Sequence, residues 1–458
     1  MIRKSLLLIS FIVLTSGDVH AENWAHWRGP TGNGVALNAT PPIEWSDTKN
    51  VKWKVEIPGK GSGSPVIWEN KVFVVSGISE AAAANVAAAP AQQRSREERP
   101  RGDGAQGGQR QRRQRGGRGG RGGGAPPTMT QFNLYCFDRE TGKQLWDKTA
   151  AQVVPHQGVH GTNNFASASP CTDGQHVYAF FGSRGLFCYT MDGELKWEKH
   201  FGKMETRNGF GEGASPTLAG DKIIVPWDHE GQSAVYALNK LTGDIVWETA
   251  RDEPTEWATP LIVDHDGKQQ VILNGQNKAR AYDLETGEEL WQCGGQTERP
   301  CASPVTIDDM VVIGSGHRGS FMGAFKLGGE GDIAGTDKVA WSIDRNTPDI
   351  ASPILSEDRL YFYKQKTGIL SCLDVTTGEP HYSATRIKGI KSTYASPVVA
   401  GGYVFLTGRS GTTVVIKDAD NLEVVATNSV GEGVDATPAP VDNELFIRGE
   451  KHLFCIAK

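Results

Sequence analysis

Residues 215–247 read SPTLAGDKIIVPWDHEGQSAVYALNKLTGDIVW, and this stretch decides the fold. Ser215-Pro216 opens a short apolar run, Thr217-Leu218, which ends at the turn Gly220-Asp221. The β-branched run Ile223-Ile224-Val225 follows, then a Gly-containing loop and a third run, Val235-Tyr236-Ala237-Leu238. A turn at Thr242-Gly243 leads to a fourth run closing on Trp247. Short β-branched and aromatic runs bounded by Gly, Asp and Asn are strands joined by tight turns. No window of similar length carries a helical period. Proline suits the start of the first strand, where its missing N–H needs no ladder partner.

The pattern recurs along the chain. A small hydroxyl residue followed by proline appears as Ser64-Pro65, Ser169-Pro170, Ser215-Pro216, Thr259-Pro260, Ser303-Pro304, Ser352-Pro353, Ser396-Pro397 and Thr437-Pro438. The prolines are spaced 105, 46, 44, 44, 49, 44 and 41 residues apart. A second marker sits between the third and fourth runs: Gly142, Gly193, Gly243 and Gly287 each precede a tryptophan, Trp146, Trp197, Trp247 and Trp291, and Trp341 and Tyr382 hold that place later. Such units bury their faces only against one another. After Pro438 three strands remain before the chain stops; the missing fourth is Val51 to Ile57, with Trp53 in the tryptophan position. The pattern therefore predicts an all-β, eight-bladed β-propeller of four-stranded antiparallel blades, closed by sharing the last blade between the two termini, which removes free edges.

The segments apolar-Tyr-Cys-Phe-Asp at Leu134 to Asp138 with Trp146, Val235 to Trp247, and Ala281-Tyr282-Asp283 to Trp291 resemble the quinoprotein-type propeller repeat, over roughly Trp45 to Lys458. The opening Trp24-Ala25-His26-Trp27-Arg28-Gly29-Pro30 is similar to the start of exported bacterial propellers related to the outer-membrane assembly lipoprotein. The resemblance implies one of two functions: oxidation of alcohols or sugars with pyrroloquinoline quinone and calcium, or a non-enzymatic envelope scaffold. The large alcohol dehydrogenases of this type carry adjacent cysteines and a Glu-Asn-Asp set around calcium. This chain has no adjacent cysteines and no matching set, so no catalytic residue is carried over and no cofactor is expected. A fold shared by many functions decides little by itself.

The chain has 458 residues and a formal net charge of −5. Arg3 and Lys4, the apolar run Leu6 to Leu14 and Val19-His20-Ala21 read as a signal peptide, residues 1–21, cleaved near Ala21; an uncleaved anchor is the alternative. A periplasmic or secreted protein follows, with no transmembrane segment in the mature chain, since no later run approaches the roughly 20 apolar residues required. Residues 22–50 read as an extension packing on the ring, which occupies 51–458. Cys136, Cys188, Cys372 and Cys455 fall inside apolar strands and read as small core residues. A Cys293–Cys301 bridge closing a short loop is left open.

Blade 1 alone is oversized, by an insertion over 79–130 that is Ala-rich and then Arg/Gly-rich. From Gln92 to Gly124 ten arginines stand against Glu97, Glu98 and Asp103, a net of +7 that leaves −12 for the rest of a −5 chain. With almost no large apolar residues after Val86, the segment is expected to be disordered. Either it is a tolerated loop expansion or it attracts an anionic partner. Export and the lack of Phe or Tyr between Phe73 and Phe132 disfavour nucleic acid.

In a four-stranded meander the connection entering the first strand and the second-to-third turn share a face, so the insertion marks that face. The entry connections vary there: 12 residues for Trp53–Pro65, 24 for Trp146–Pro170 and 19 for Trp197–Pro216, then 13, 13 and 12. The long ones carry His156, His160, Asn163 and Asn164, then Arg207, Asn208 and Glu212; short turns and later entries add Arg184, His229, Arg299, His317 and Arg318. These are the ligand-binding candidates, set against ordinary solvated loop chemistry. His156 and His160 are four apart, but without a helix that spacing does not make a metal site. The sequence reading favours a non-catalytic binding or scaffold protein of the cell envelope, a monomeric ring recognising a protein or anionic glycan on this face. The alternative is a quinone-dependent alcohol or sugar dehydrogenase.

Overall fold

The structure, a computed structural model, describes residues 23–80 and 127–458. The expected signal peptide and residues 81–126 of the insertion lie outside the described residues. The insertion leaves and re-enters at the end of a lengthened hairpin, Lys71–Ser79 against Thr130–Asp138, with Ser79 opposite Thr130.

Eight sheets form the ring, one per repeat, each an antiparallel meander. Val51–Glu56 pairs antiparallel with His452–Ile456, so the last blade is closed by the N-terminal strand. Two blades carry a fifth strand that the repeat did not foretell. Val35–Ala36 runs parallel to Val398–Ala400, the innermost strand of blade 7, and Gly331–Asp332 runs parallel to Glu289–Cys293, the outermost strand of blade 4.

The apolar cores lie between neighbouring blades. One cluster joins Phe73 and Leu134 of blade 1 to Val177 and Phe187 of blade 2; another joins Tyr178 and Cys188 of blade 2 to Ile223 and Leu238 of blade 3. Both faces of a sheet are therefore covered, which makes the inner strands continuously apolar. Cys136, Cys188, Cys372 and Cys455 are fully buried in these cores, and burial raises the Cys136 thiol to about 12. The possible Cys293–Cys301 bridge does not form: both thiols are free.

Both sequence markers act across blade junctions. The turn glycine of one blade faces the tryptophan of the blade before it: a Cβ on Gly243 (φ +75°) would lie 2.6 Å from the Trp197 ring, and one on Gly142 (φ +70°) 2.7 Å from Trp53. The indoles then donate to the next blade, Trp53 to the Arg139 carbonyl at 2.8 Å and Trp247 to the Leu284 carbonyl at 2.9 Å. The Ser/Thr of each Ser/Thr-Pro marker makes a second link. The Ser64 N–H donates to Ser169 Oγ, Ser169 N–H to Ser215 Oγ, Ser215 N–H to Thr259 Oγ1 and Thr259 N–H to Ser303 Oγ, at 2.8–3.1 Å. Ser303, Ser352 and Ser396 continue the chain to Thr437. A belt of hydroxyls thus links blade to blade around the central channel.

Candidate functional site

The channel opens as a funnel of about 440 Å³ on the face that carries the insertion. That volume lies within the range of small-molecule sites. Its wall has a sequence rule. The residue two positions before each Ser/Thr-Pro hydroxyl reaches the funnel: Ser62, Ser167, Gly213, Trp257, Cys301, Ile350, Tyr394 and Asp435. The rigid first strand fixes the marker, so the residue two steps upstream on the same side of the chain enters the funnel whatever its chemistry.

Aromatic and charged groups dominate the rest. Phe210, Trp257 and Tyr394 supply flat surfaces, and Trp27 of the N-terminal segment lies at the bottom. Arg299 lies 5.2 Å over the Phe210 ring and contacts His317. His317 stands 4.0 Å from Asp349. Burial, then the Arg299 charge, hold the His317 imidazole below its ordinary range, whereas burial raises Asp349. Arg409 stacks 3.9 Å over Tyr394 and grips both oxygens of Asp435, at 2.6 and 2.9 Å. Lys366 also lines the funnel and makes no ion pair among the described residues.

The structure divides the sequence candidates into three groups. His160, Asn163, Arg299 and His317 line the funnel. His160 is held edge-on to Phe210 at 5.2 Å, and Asn163 donates to the Phe210 carbonyl at 2.9 Å. Arg207 and Arg318 lie outside the funnel wall, sharing Glu298 at 3.9 and 3.3 Å; Asn208 is an exposed residue in a left-handed turn (φ 55°). The remaining group ties the long loops together. Arg184 donates to His156 at 3.0 Å, His156 meets the Met204 carbonyl at 2.8 Å, Glu212 accepts the Ser183 N–H at 2.7 Å, and Asn164 donates to Ser62. His229 is buried and turned back on its own loop, 3.1 Å from the Gln232 carbonyl. Sequence reasoning missed Trp27, Phe210, Trp257, Lys366, Tyr394 and Asp435. For Trp257, Tyr394 and Asp435 the signal was present, two residues before the marker.

Among the described residues no three His, Cys, Asp or Glu side chains are placed to hold a metal ion, and no helix is long and apolar enough to cross a membrane. A family model described as outer membrane protein assembly factor BamB matches residues 131–383, more than half of the chain. The chain belongs to the BamB family. Among solved structures, BamB from Moraxella catarrhalis is 14% identical, covering 71% of this chain and 88% of that one, with a TM-score of 0.49. Quinohemoprotein alcohol dehydrogenase from Comamonas testosteroni is 10% identical, covering 94% of this chain and 80% of that one, at 0.59. The computationally designed Ika8 protein is 12% identical, covering 73% of this chain and 94% of that one, at 0.51. At these identities the likeness is one of fold. No curated protein matches the chain.

Proposed function

We propose that this BamB-family propeller binds a carboxylated, ring-shaped small molecule in its central funnel, and that it acts as a quinone-dependent alcohol or sugar dehydrogenase outside the cytoplasm. The observation that carries this reading is the funnel itself: concave, on the ring axis, walled by Phe210, Trp257 and Tyr394, with Arg299 and Lys366 among them. Aromatic faces suit a planar ring, and guanidinium and ammonium groups suit its carboxylates. A location in the periplasm or beyond the cell is supported by the signal-like N-terminus and by kinship with an outer-membrane assembly factor.

Pyrroloquinoline quinone is a planar polycarboxylate, and when bound it supplies a two-electron acceptor. These wall residues fit its organic framework. For its usual calcium, no group of three His, Cys, Asp or Glu side chains converges among the described residues, and the sequence has no adjacent cysteines of the kind the large alcohol dehydrogenases carry. The chain's own part is then to hold the ring between aromatic faces, orient its carboxylates on Arg299 and Lys366, and exclude water from the lower funnel.

The second reading is a non-catalytic envelope scaffold, favoured by the family's description as an assembly factor. One experiment separates them. The purified protein is titrated with pyrroloquinoline quinone, with and without calcium, following tryptophan quenching and then dye reduction with alcohols and sugars. Saturable binding with turnover supports the dehydrogenase. Absence of quinone binding, together with crosslinks from the funnel face to an envelope protein, supports the scaffold.

A further inference from the structure

The hydroxyl belt leaves something unspent. A Ser or Thr hydroxyl has one proton to donate and lone pairs to accept with. In the belt each oxygen from Ser169 to Thr437 accepts the N–H of the preceding blade's marker. Among the described residues these marker hydroxyls accept the N–H groups and none donates to another protein group. Ser64, Ser169, Ser215, Thr259, Ser396 and Thr437 border the funnel. Facing the open funnel, these hydroxyls are free to donate to a ligand on the channel axis.

Two further observations say what kind. Of the funnel's acids, Asp435 is matched by Arg409, and burial beside His317 raises Asp349, which favours its neutral form. The spare charge is positive: Lys366 has no ion pair among the described residues, and Arg299 Nε is buried without a partner. The channel is also closed below. Trp24 bridges Ile67 of blade 1, Asn33 donates to the Thr306 carbonyl of blade 5 at 2.8 Å, and Arg28 donates to the Pro353 carbonyl of blade 6. This strap carries Trp27 to the waist, where its indole donates to Thr437 Oγ1 at 3.3 Å. Trp27 borders both the funnel and a second cavity of about 270 Å³ on the far side, so it stands between them.

We propose that the channel waist is an oxyanion seat, formed by the marker hydroxyls above Trp27, which receives the carboxylate of a ring-bearing ligand entering end-on from the loop face. The inference rests on the funnel being the binding site. The closed floor rules out threading, so the site takes a small molecule or a chain end. Charge on Lys366 and Arg299 draws the acid inward, and the hydroxyls share its oxygens at the bottom. The same chemistry is offered by a carboxylate of the quinone and by an acidic sugar.

The test titrates the full-length protein separately with glucuronate, glucose and pyrroloquinoline quinone, by calorimetry. At least one of the two carboxylates binds, and glucose binds at least about tenfold more weakly than that one, a difference of roughly 1.4 kcal/mol. Thr259→Val and Lys366→Met each weaken the bound carboxylate about tenfold, while Thr259→Ser, which restores the hydroxyl, does not. Binding by glucuronate alone identifies an acidic sugar as the source, and by the quinone alone the cofactor. Lys366→Met guards against a folding defect in Thr259→Val. If glucose binds as tightly as glucuronate, or if Thr259→Val leaves carboxylate binding unchanged, the seat is wrong. Quinone binding indifferent to both substitutions, with no glucuronate binding, rejects the seat but keeps the dehydrogenase reading. Failure of all three ligands rejects both.

Discussion

Replacing Ser215 by alanine isolates one link of the hydroxyl belt. Ser215 Oγ accepts the Ser169 N–H at 2.9 Å, and both residues are almost wholly buried. The substitution removes one oxygen and no carbon, so little packing is lost. What remains is a buried N–H without an acceptor, which costs about 1–3 kcal/mol. The Ser215 N–H keeps its own acceptor, Thr259 Oγ1, so only one link breaks. Ser215→Thr is the control, because Thr259 and Thr437 already serve in the belt. Removing Ser215, Ser303 and Ser396 together breaks links that share no partner, and their costs should add. The total of about 3–9 kcal/mol is a large share of the 5–15 kcal/mol typical of a folded protein. Urea unfolding followed by tryptophan fluorescence reads these differences as shifts in midpoint at constant slope. If Ser215→Ala lies within about 0.5 kcal/mol of the parent, or Ser215→Thr falls as far as Ser215→Ala, the hydroxyl does not link the blades.

Three other perturbations test separate parts of the ring. Gly243→Ala should cost more than about 2 kcal/mol, since the φ of +75° adds about 1–2 kcal/mol for a side chain and the new Cβ meets Trp197; Gly220→Ala (φ +58°), with open space around it, should show only the backbone part in the same unfolding assay. Replacing Arg139 and Lys52 together by Met should cost about 3–5 kcal/mol by stranding buried Glu444, which they hold at 2.6 and 2.8 Å, and the loss should persist in high salt because Glu444 is buried. Burial and the neighbouring Asp228 carboxylate push Glu256 well above its ordinary value of 4.5, so its neutral form is favoured in the fold and stability is lost as pH rises from that value through the raised one. Glu256→Gln should therefore gain on the parent progressively above about pH 4.5, the ordinary value of the group, and a difference independent of pH in urea melts would contradict this.

Much of this molecule is legible in its sequence, because a repeat reports its own constraints several times over. Proline marks where a strand starts without needing an N–H, and glycine before tryptophan marks a turn that must admit an indole. The shortage of one strand after Pro438 and its surplus at Val51 follow from counting alone. The sequence could likewise assign the loop face, since strand order in a meander fixes which turns lie together. It could not say that Gly243 exists for Trp197 of the neighbouring blade, or that Ser215 serves the backbone of Ser169, because both are contacts across junctions that only closure of the ring creates.

The candidate site divides along the same line. Polar residues on long loops attract notice in sequence, yet His156, Arg184 and Glu212 spend their hydrogen bonds holding those loops to one another. Trp257, Tyr394 and Asp435 look unremarkable where they stand, and become neighbours only because each strand delivers the residue two before its marker to the same axis. Trp27 is more than 400 residues from Thr437, its hydrogen-bond partner at the waist. Local physics thus determined the strands, the turns, the number of blades and the face. The funnel's chemistry and its closed floor were decided by long-range geometry, where eight junctions and one N-terminal strap converge on a point that no stretch of chain contains.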